Sequence, residues 1–110
     1  MSDTEILLAM TTLPDAEQAQ ALAQKLIELK LAACIQCLSP CVSVYEWAGQ
    51  VERSSEVPLL IKTTRAAWPA LEQAILAAHP YELPEIIAVP VTAGLPAYLD
   101  WVARQTRTSC

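Results

Sequence analysis

Two long strand-like segments follow one another in the middle of the chain, at about Cys34–Trp47 and Gln50–Thr63. Apolar and polar residues alternate along both, which is typical of strands, and Ala48-Gly49 separates them as a turn. At about 3.3 Å per residue each segment reaches about 45 Å, whereas a compact domain of 110 residues is about 35 Å across. Pro40 and Pro58 cannot donate ladder hydrogen bonds, so each marks an edge or a bulge. The sequence therefore predicts a long β-hairpin, part of which bends or projects.

A projecting hairpin that carries Val, Tyr and Trp leaves strand edges open to another chain. Hydrophobic residues make up 54% of the sequence and charged residues 17%, against a usual charged share of about 25%. The chain therefore has more apolar surface than a small monomer readily hides. Closed symmetry would cover such edges without open-ended aggregation, so we expect a homo-oligomer.

Shorter elements flank the hairpin. Glu5–Thr12 is an apolar run that predicts a strand. Asp15 is the expected N-cap of a helix that ends near Lys30–Ala32, with Gln18 three residues after the cap. The remaining elements are a helix over about Ala66–His79, a strand over Ile86–Val91 and a short helix over about Pro96–Gln105. This order predicts an α+β fold, a ferredoxin-like β-α-β-β-α-β sandwich with an extra C-terminal helix and a long β2-β3 hairpin.

The length predicts one domain over residues 1–110, with a core at about 5–105 and a polar tail at 106–110. The net charge of -5 and the scattered basic residues argue against a nucleic-acid partner. No apolar run is long enough for a membrane span, and the start, MSDTEILLAM, lacks the features of a signal peptide. We therefore expect no membrane partner and a cytoplasmic protein.

Four cysteines raise the question of a metal site. Cys34 and Cys37 have the C-x-x-C spacing of zinc and redox sites, but residues three apart on a strand face opposite sides. Cys37 and Cys41 would lie about 13 Å apart on an extended strand. The favoured interpretation is that these thiols are small apolar packing residues, and that Cys110 is an exposed thiol on the tail.

His79, the only histidine, lies in HPYELPEI between two X-Pro steps. One interpretation is a helix stop, since the residue before proline is held in an extended conformation. The other is a neutral imidazole that binds a soft or borderline cation. A Cys34–His79 nucleophile and base is a third hypothesis, but no spacing rule brings the two together, so we predict that the protein is not an enzyme.

The aromatic residues are Trp and Tyr only, and such side chains are enriched at interfaces. Glu56 and Lys62 have even spacing, which places them on one outward face of the second long strand. That face is either solvated or the wall of a polar cleft.

Five motifs follow one another along the chain. They are LAAC (Leu31–Cys34), SVYEWAG (Ser43–Gly49), Glu56 followed by IKT (Ile61–Thr63), HPYELPEI with Val89-Pro90 following, and YLDW (Tyr98–Trp101). Together they resemble the CutA family of divalent-cation tolerance proteins. The match covers roughly Ile6 to Arg104.

The resemblance implies a trimer with the architecture of PII signalling proteins, in which the long hairpins pair between subunits. It also implies a link to copper and other divalent cations. A copper-binding member of the family uses one cysteine and two adjacent histidines, and the matching positions here are Thr11, Ala78 and His79. Only His79 keeps a metal-binding side chain. Cys34 matches a typical family cysteine, whereas Cys37 and Cys41 are additional thiols.

Together these observations predict a homotrimeric protein that confers tolerance of copper or another divalent cation. The protein is expected to bind the metal or a small ligand in a cleft between subunits. His79 is the predicted metal ligand. The predicted cleft residues are Cys34, Glu56, Lys62, Tyr81, Glu85 and Trp101. The alternative is a PII-like signalling or structural module that acts through a protein partner and has no metal function.

Overall fold

The fold was analysed in a computed structural model, which describes residues 5–106. An antiparallel five-stranded sheet carries two helices on one face and a third helix at one end of the other face. The elements are β1 (Ile6–Leu13), α1 (Ala16–Glu28), β2 (Cys34–Cys37), β3 (Cys41–Trp47), β4 (Gln50–Thr64), α2 (Trp68–Ala78), β5 (Ile86–Pro90) and α3 (Pro96–Gln105). The predicted α+β, ferredoxin-like order is confirmed. Cys110 and most of the expected tail lie outside the described residues.

The first long strand of the predicted hairpin is divided into β2 and β3. Cys37 lies opposite Leu59 of β4, and Cys41 lies opposite Glu56. Between these two pairs the first segment has three residues (38–40) and β4 has two (57–58). The extra residue on one side is what defines a β-bulge. Pro40, which has no N–H, lies in this interruption, and the Pro58 carbonyl accepts a hydrogen bond from the Leu38 amide.

The hairpin projects, as its length predicts. Residues 50–56 of β4 pair with β3, whereas residues 57–64 pair with β1. The molecule measures 44 × 26 × 23 Å, and the long axis exceeds the diameter of about 35 Å expected for a compact domain. The turn residues Ala48 and Gly49 have φ values of 53° and 81°, the left-handed pair that a two-residue hairpin turn requires.

The main core lies between the sheet and the two longer helices. Odd-numbered residues of β4 (Val57, Leu59 and Ile61) pack with Ala9 and Leu13 of β1. Helices α1 and α2 close this core with Leu22, Leu26, Leu71 and Ile75. Val51 has the same parity but lies beyond the core and is 73% exposed, because the projecting part of β4 has no helix beneath it.

Helix α1 begins as predicted, with the Asp15 carboxylate accepting a hydrogen bond from the Gln18 amide at 2.8 Å. This bond lowers the pKa of Asp15. The helix ends at Glu28, earlier than expected, because Lys30 adopts a left-handed φ of 63°. The Lys30 amide donates to the Ile27 carbonyl and the Leu31 amide to the Leu26 carbonyl, which is a Schellman motif.

The sheet face that carries the even-numbered residues of β1 and β4 is only partly covered. Strand register places Ile87, Met10 and Leu60 in one row across this face, and Val89 and Leu8 in the next. Helix α3 lies at the end of the same face, where Leu99 approaches Ile6 and Tyr98 approaches Cys34. We call the five apolar residues of the two rows the open face, because Ile87 and Val89 among them are 47% and 45% exposed.

Candidate functional site

A cleft of about 860 Å³ lies between the base of the hairpin and the bend that follows α2. The hairpin supplies Glu52, Ser54 and Glu56 from β4, which share one face because their spacing is even. Their partners on β3 add hydroxyl and aromatic groups to the same face. The lining residues are Thr12, Ser43, Val44, Tyr45, Trp47, Glu52, Ser54, Glu56, Pro80, Tyr81, Glu82, Leu83 and Glu85.

A chain of polar contacts fixes the bend to the sheet. The His79 Nδ1 atom accepts a hydrogen bond from the Tyr81 amide at 3.2 Å, so this nitrogen carries no proton. The Nε2 atom therefore carries the hydrogen and donates it to the Thr12 carbonyl at 2.7 Å. The Thr12 hydroxyl donates in turn to a Glu56 carboxylate oxygen at 3.2 Å. Both ring nitrogens of His79 are thus engaged with the backbone.

Glu56 is the buried charge of the cleft. It is 8% exposed, and the hydroxyls of Thr12 and Tyr81 approach its carboxylate. Desolvation of the phenol, reinforced by the hydrogen bond and the negative charge of Glu56, raises the pKa of Tyr81 to about 12. A carboxylate has about four acceptor sites, so two hydroxyl donors leave capacity for a cationic ligand.

The structure divides the predicted cleft residues into two groups. Glu56, Tyr81 and Glu85 line the cleft, beside His79. Cys34, Lys62 and Trp101 lie elsewhere, where β2, β4 and α3 meet. There Cys34 lies across from Lys62 in the sheet, and the Lys62 ammonium donates to the Gln36 side-chain oxygen at 2.6 Å. Within one described chain the six residues therefore lie in two separate places, and their common cleft stays a prediction.

The second group is a small aromatic cluster at the end of the sheet. The rings of Tyr98 and Trp101 are 5.7 Å apart, and the Tyr98 hydroxyl lies beside Cys34. Burial, reinforced by Cys34, raises the pKa of Tyr98. The contacts of Cys34 and those of His79 involve different residues, so this geometry gives no support to a nucleophile–base pair.

Of the three residues that match the family's copper position, only His79 carries a nitrogen or sulfur ligand atom in its side chain. Thr11 replaces the thiol by a fully buried hydroxyl, and this hydroxyl has no hydrogen-bond partner within residues 5–106. Ala78 has no donor atom, and both nitrogens of His79 are bonded to backbone groups. Copper prefers thiolate and imidazole ligands. Metal binding by His79 stays a prediction, and it requires one ring nitrogen to leave its present partner.

Sequence reasoning missed Glu52, Glu82 and the aromatic pair Tyr45 and Trp47 as parts of the cleft. The signal for Glu52 was present, because it has the same parity as Glu56 four residues away. Glu82 is adjacent to Tyr81, but only the fold shows that the bend faces the hairpin. The described part of the chain contains no group of three His, Cys, Asp or Glu side chains placed to hold one metal ion.

Comparison with known proteins identifies the family. Residues 7–105 match the family model described as CutA1 divalent ion tolerance protein. The chain belongs to the CutA family. It is 40% identical over 99 residues to the divalent-cation tolerance protein CutA of Thermus thermophilus, covering 90% of this chain and 96% of the relative. It is 41% identical over 100 residues to protein CutA of Mus musculus, covering 91% of this chain and 56% of that protein.

Solved structures of CutA proteins share the fold. The PII-like protein CutA from Nostoc sp. in its apo form superposes with a TM-score of 0.87 at 35% identity, covering 94% of this chain and 99% of that one. The predicted resemblance to CutA and the PII-like architecture are thus confirmed.

The predicted cytoplasmic location stays a prediction. Other CutA relatives are named as chloroplastic, in Arabidopsis thaliana, and as periplasmic, in Archaeoglobus fulgidus. None of the helices described between residues 5 and 106 has the length and apolar character needed to cross a membrane.

Proposed function

We propose that this CutA protein works as a homotrimer that binds a divalent cation or a small cationic ligand in clefts completed between subunits. The observation that carries the proposal is the cleft itself, in which Glu56, Tyr81 and Glu85 come together beside His79. Four glutamates and no lysine or arginine line it. Carboxylate and hydroxyl oxygens suit hard divalent cations better than they suit copper.

The open face supports a trimer. Ile87 and Val89 are about half exposed in the isolated chain, and they extend a row of apolar residues across the sheet. The projecting half of β4 also has one edge that no described strand pairs with. A second and third copy of the chain could cover both surfaces, and closed symmetry would end the association there.

The role of the cleft can be tested by titration calorimetry with Mg(II), Zn(II) and Cu(II). Glu56→Gln should weaken cation binding about tenfold or more, since it removes a negatively charged oxygen ligand and the attraction between close opposite charges near a protein surface is about 4 kcal/mol. Glu46→Gln is the matched control, because Glu46 lies on the opposite face of the same hairpin. Equal binding by wild type and Glu56→Gln would place the cation elsewhere.

The separate prediction for His79 needs a readout of ligation, because His79 also holds the bend. The electron paramagnetic resonance spectrum of bound Cu(II) should show coupling to an imidazole nitrogen, and His79→Ala should remove it. An unchanged spectrum would exclude His79 as a ligand.

The second candidate function is a PII-like signalling or structural trimer that acts through a protein partner. Leu83 and Leu95 favour it, because both are large apolar side chains with more than two thirds of their surface exposed. A trimer that binds none of the three cations would favour this alternative. In both cases we propose binding, and no catalytic role, for a cytoplasmic protein.

A further inference from the structure

The charge of the cleft selects the class of ligand. Glu52, Glu56, Glu82 and Glu85 contribute four carboxylates, and none of the lining residues is lysine or arginine. The whole chain is also acidic, with a net charge of -5. The four carboxylates would repel an anionic ligand and attract a cation.

The spacing of the carboxylates selects the shape of the cation. Glu52 and Glu56 are four residues apart on one strand, so their Cα atoms are about 13 Å apart. Glu82 and Glu85 come from the bend after α2. No three of these groups gather around one point within residues 5–106. A single metal ion can therefore pair with only part of the charge, whereas a cation with several separated ammonium groups can pair with the carboxylates in turn.

The remaining walls suit the methylene segments between such ammonium groups. Tyr45, Trp47 and Tyr81 line the cleft with aromatic rings, and Val44 and Leu83 add aliphatic surface. The Tyr45 hydroxyl is 2.6 Å from the Ser54 hydroxyl, which holds that ring against the β4 strand. Methylene groups pack on these surfaces, and an ammonium group over a ring gains a cation–π attraction.

Glu56 provides a buried anchor for one ammonium group. It is more than nine-tenths buried, and the hydroxyls of Thr12 and Tyr81 hold its carboxylate in place. A charge in this position interacts more strongly with a bound cation than a solvated one does, because less water screens it. Glu52 lies farther along the hairpin and is exposed, so it would bind the other end of an extended ligand.

We propose that the cleft binds a linear polyamine, a flexible alkyl chain with several ammonium groups. Glu56 pairs with one ammonium group, Glu52 pairs with another, and the aromatic walls contact the methylene groups between them. This inference rests on the proposed function, because it names the cationic ligand of the same cleft.

The test is titration calorimetry of the intact protein with spermidine. Wild type should bind, and binding should weaken as salt is raised. Glu56→Gln should weaken binding about tenfold, Glu52→Gln should weaken it about two- to fivefold because an exposed ion pair contributes less, and Glu46→Gln should leave it unchanged. Glu52 is exposed, so its substitution leaves the fold intact and the test remains decisive even if Glu56→Gln lowers stability. Butylamine, with one ammonium group, should bind far more weakly than spermidine.

Three results would overturn the inference. The first is absence of spermidine binding. The second is equal spermidine binding by wild type, Glu52→Gln and Glu56→Gln. The third is tighter binding of a trilysine peptide than of spermidine, which would assign the cleft to a basic segment of a protein. If Mg(II) or Zn(II) binds in a Glu56-dependent way and spermidine does not, the polyamine inference fails and the proposed function stands.

Discussion

At the scale of single residues, Tyr81 links the bend to the buried charge of the cleft. Its backbone amide donates to His79, and its hydroxyl lies beside Glu56. Burial and the adjacent carboxylate both oppose ionisation of the phenol, which is why the pKa of Tyr81 rises from 10.0 to about 12. The neutral phenol is therefore part of the folded structure.

This shift gives the stability of the protein a specific dependence on alkaline pH. The unfolded chain releases the Tyr81 proton near pH 10, whereas the folded chain retains it until about pH 12. The contribution of the phenol is complete below pH 10 and is lost as the pH rises through about 12. The urea midpoint of wild type should fall over this range, and that of Tyr81→Phe should fall less. Tyr45→Phe controls for the loss of a hydroxyl from the same cleft, and identical profiles for wild type and Tyr81→Phe would contradict the assignment.

The limits of sequence reasoning are clearest at Glu56 and Lys62. Their even spacing correctly places both on one face of β4, but it does not place them in one site. They are six residues apart, which is about 20 Å along a strand. Parity gives the face of a strand, and only the fold shows which other segment lies against each part of that face. The same parity places Glu52 on the face of Glu56, and the fold shows that both line the cleft.

At the scale of elements, the end of α1 shows how one backbone angle shortens a helix. The helical pattern of apolar residues continues beyond Glu28, so periodicity alone predicts a later end. Lys30 instead takes the left-handed conformation at the position where glycine is usual. The two hydrogen bonds of the Schellman motif offset this unfavourable angle.

Glycine at position 30 should therefore stabilise the protein. A side chain in the left-handed region costs about 1–2 kcal/mol, and part of that gain is lost to the greater freedom of glycine in the unfolded chain. We expect Lys30→Gly to raise the free energy of unfolding by about 0.5–1 kcal/mol, measured by urea denaturation. The same substitution inside the helix, Lys25→Gly, should lower it by about 1 kcal/mol. If both variants unfold at lower urea concentration than wild type, the Lys30 side chain makes a contact that stabilises the fold by more than its left-handed backbone conformation destabilises it.

The hairpin shows what the sequence predicts well at this scale. Residue count alone predicts that it projects, and the two prolines predict where its pairing is interrupted. The division into β2 and β3 also depends on register, since the bulge appears only when Cys37 and Cys41 are matched to their partners on β4. Register depends on contacts between strands distant in the sequence, so a single strand does not specify it.

At the scale of the whole molecule, exposed apolar residues on the helices and on the open face of the sheet need different explanations. Leu76 lies on α2, on the helical side of the sheet, and is 49% exposed. Ile87 lies on the open face and is 47% exposed. Isolated exposed apolar residues are normal, but Ile87 continues in register into Met10 and Leu60. A contiguous apolar sheet face of this kind is the surface that a trimer would bury.

These two residues therefore allow a matched test of the proposed trimer. Wild type should scatter light at micromolar concentration as a particle of three times 12.0 kDa. Ile87→Glu would place a charge in the buried interface, a cost of several kcal/mol, and should give monomers. Leu76→Glu introduces the same carboxylate at a similarly exposed position on helix α2, on the other side of the sheet, and should leave the trimer intact.

A monomeric wild type would exclude the trimer, and a trimeric Ile87→Glu would show that the subunit interface does not include the open face. Because the cleft is proposed to be completed between subunits, monomeric Ile87→Glu should also bind cations more weakly than Leu76→Glu does.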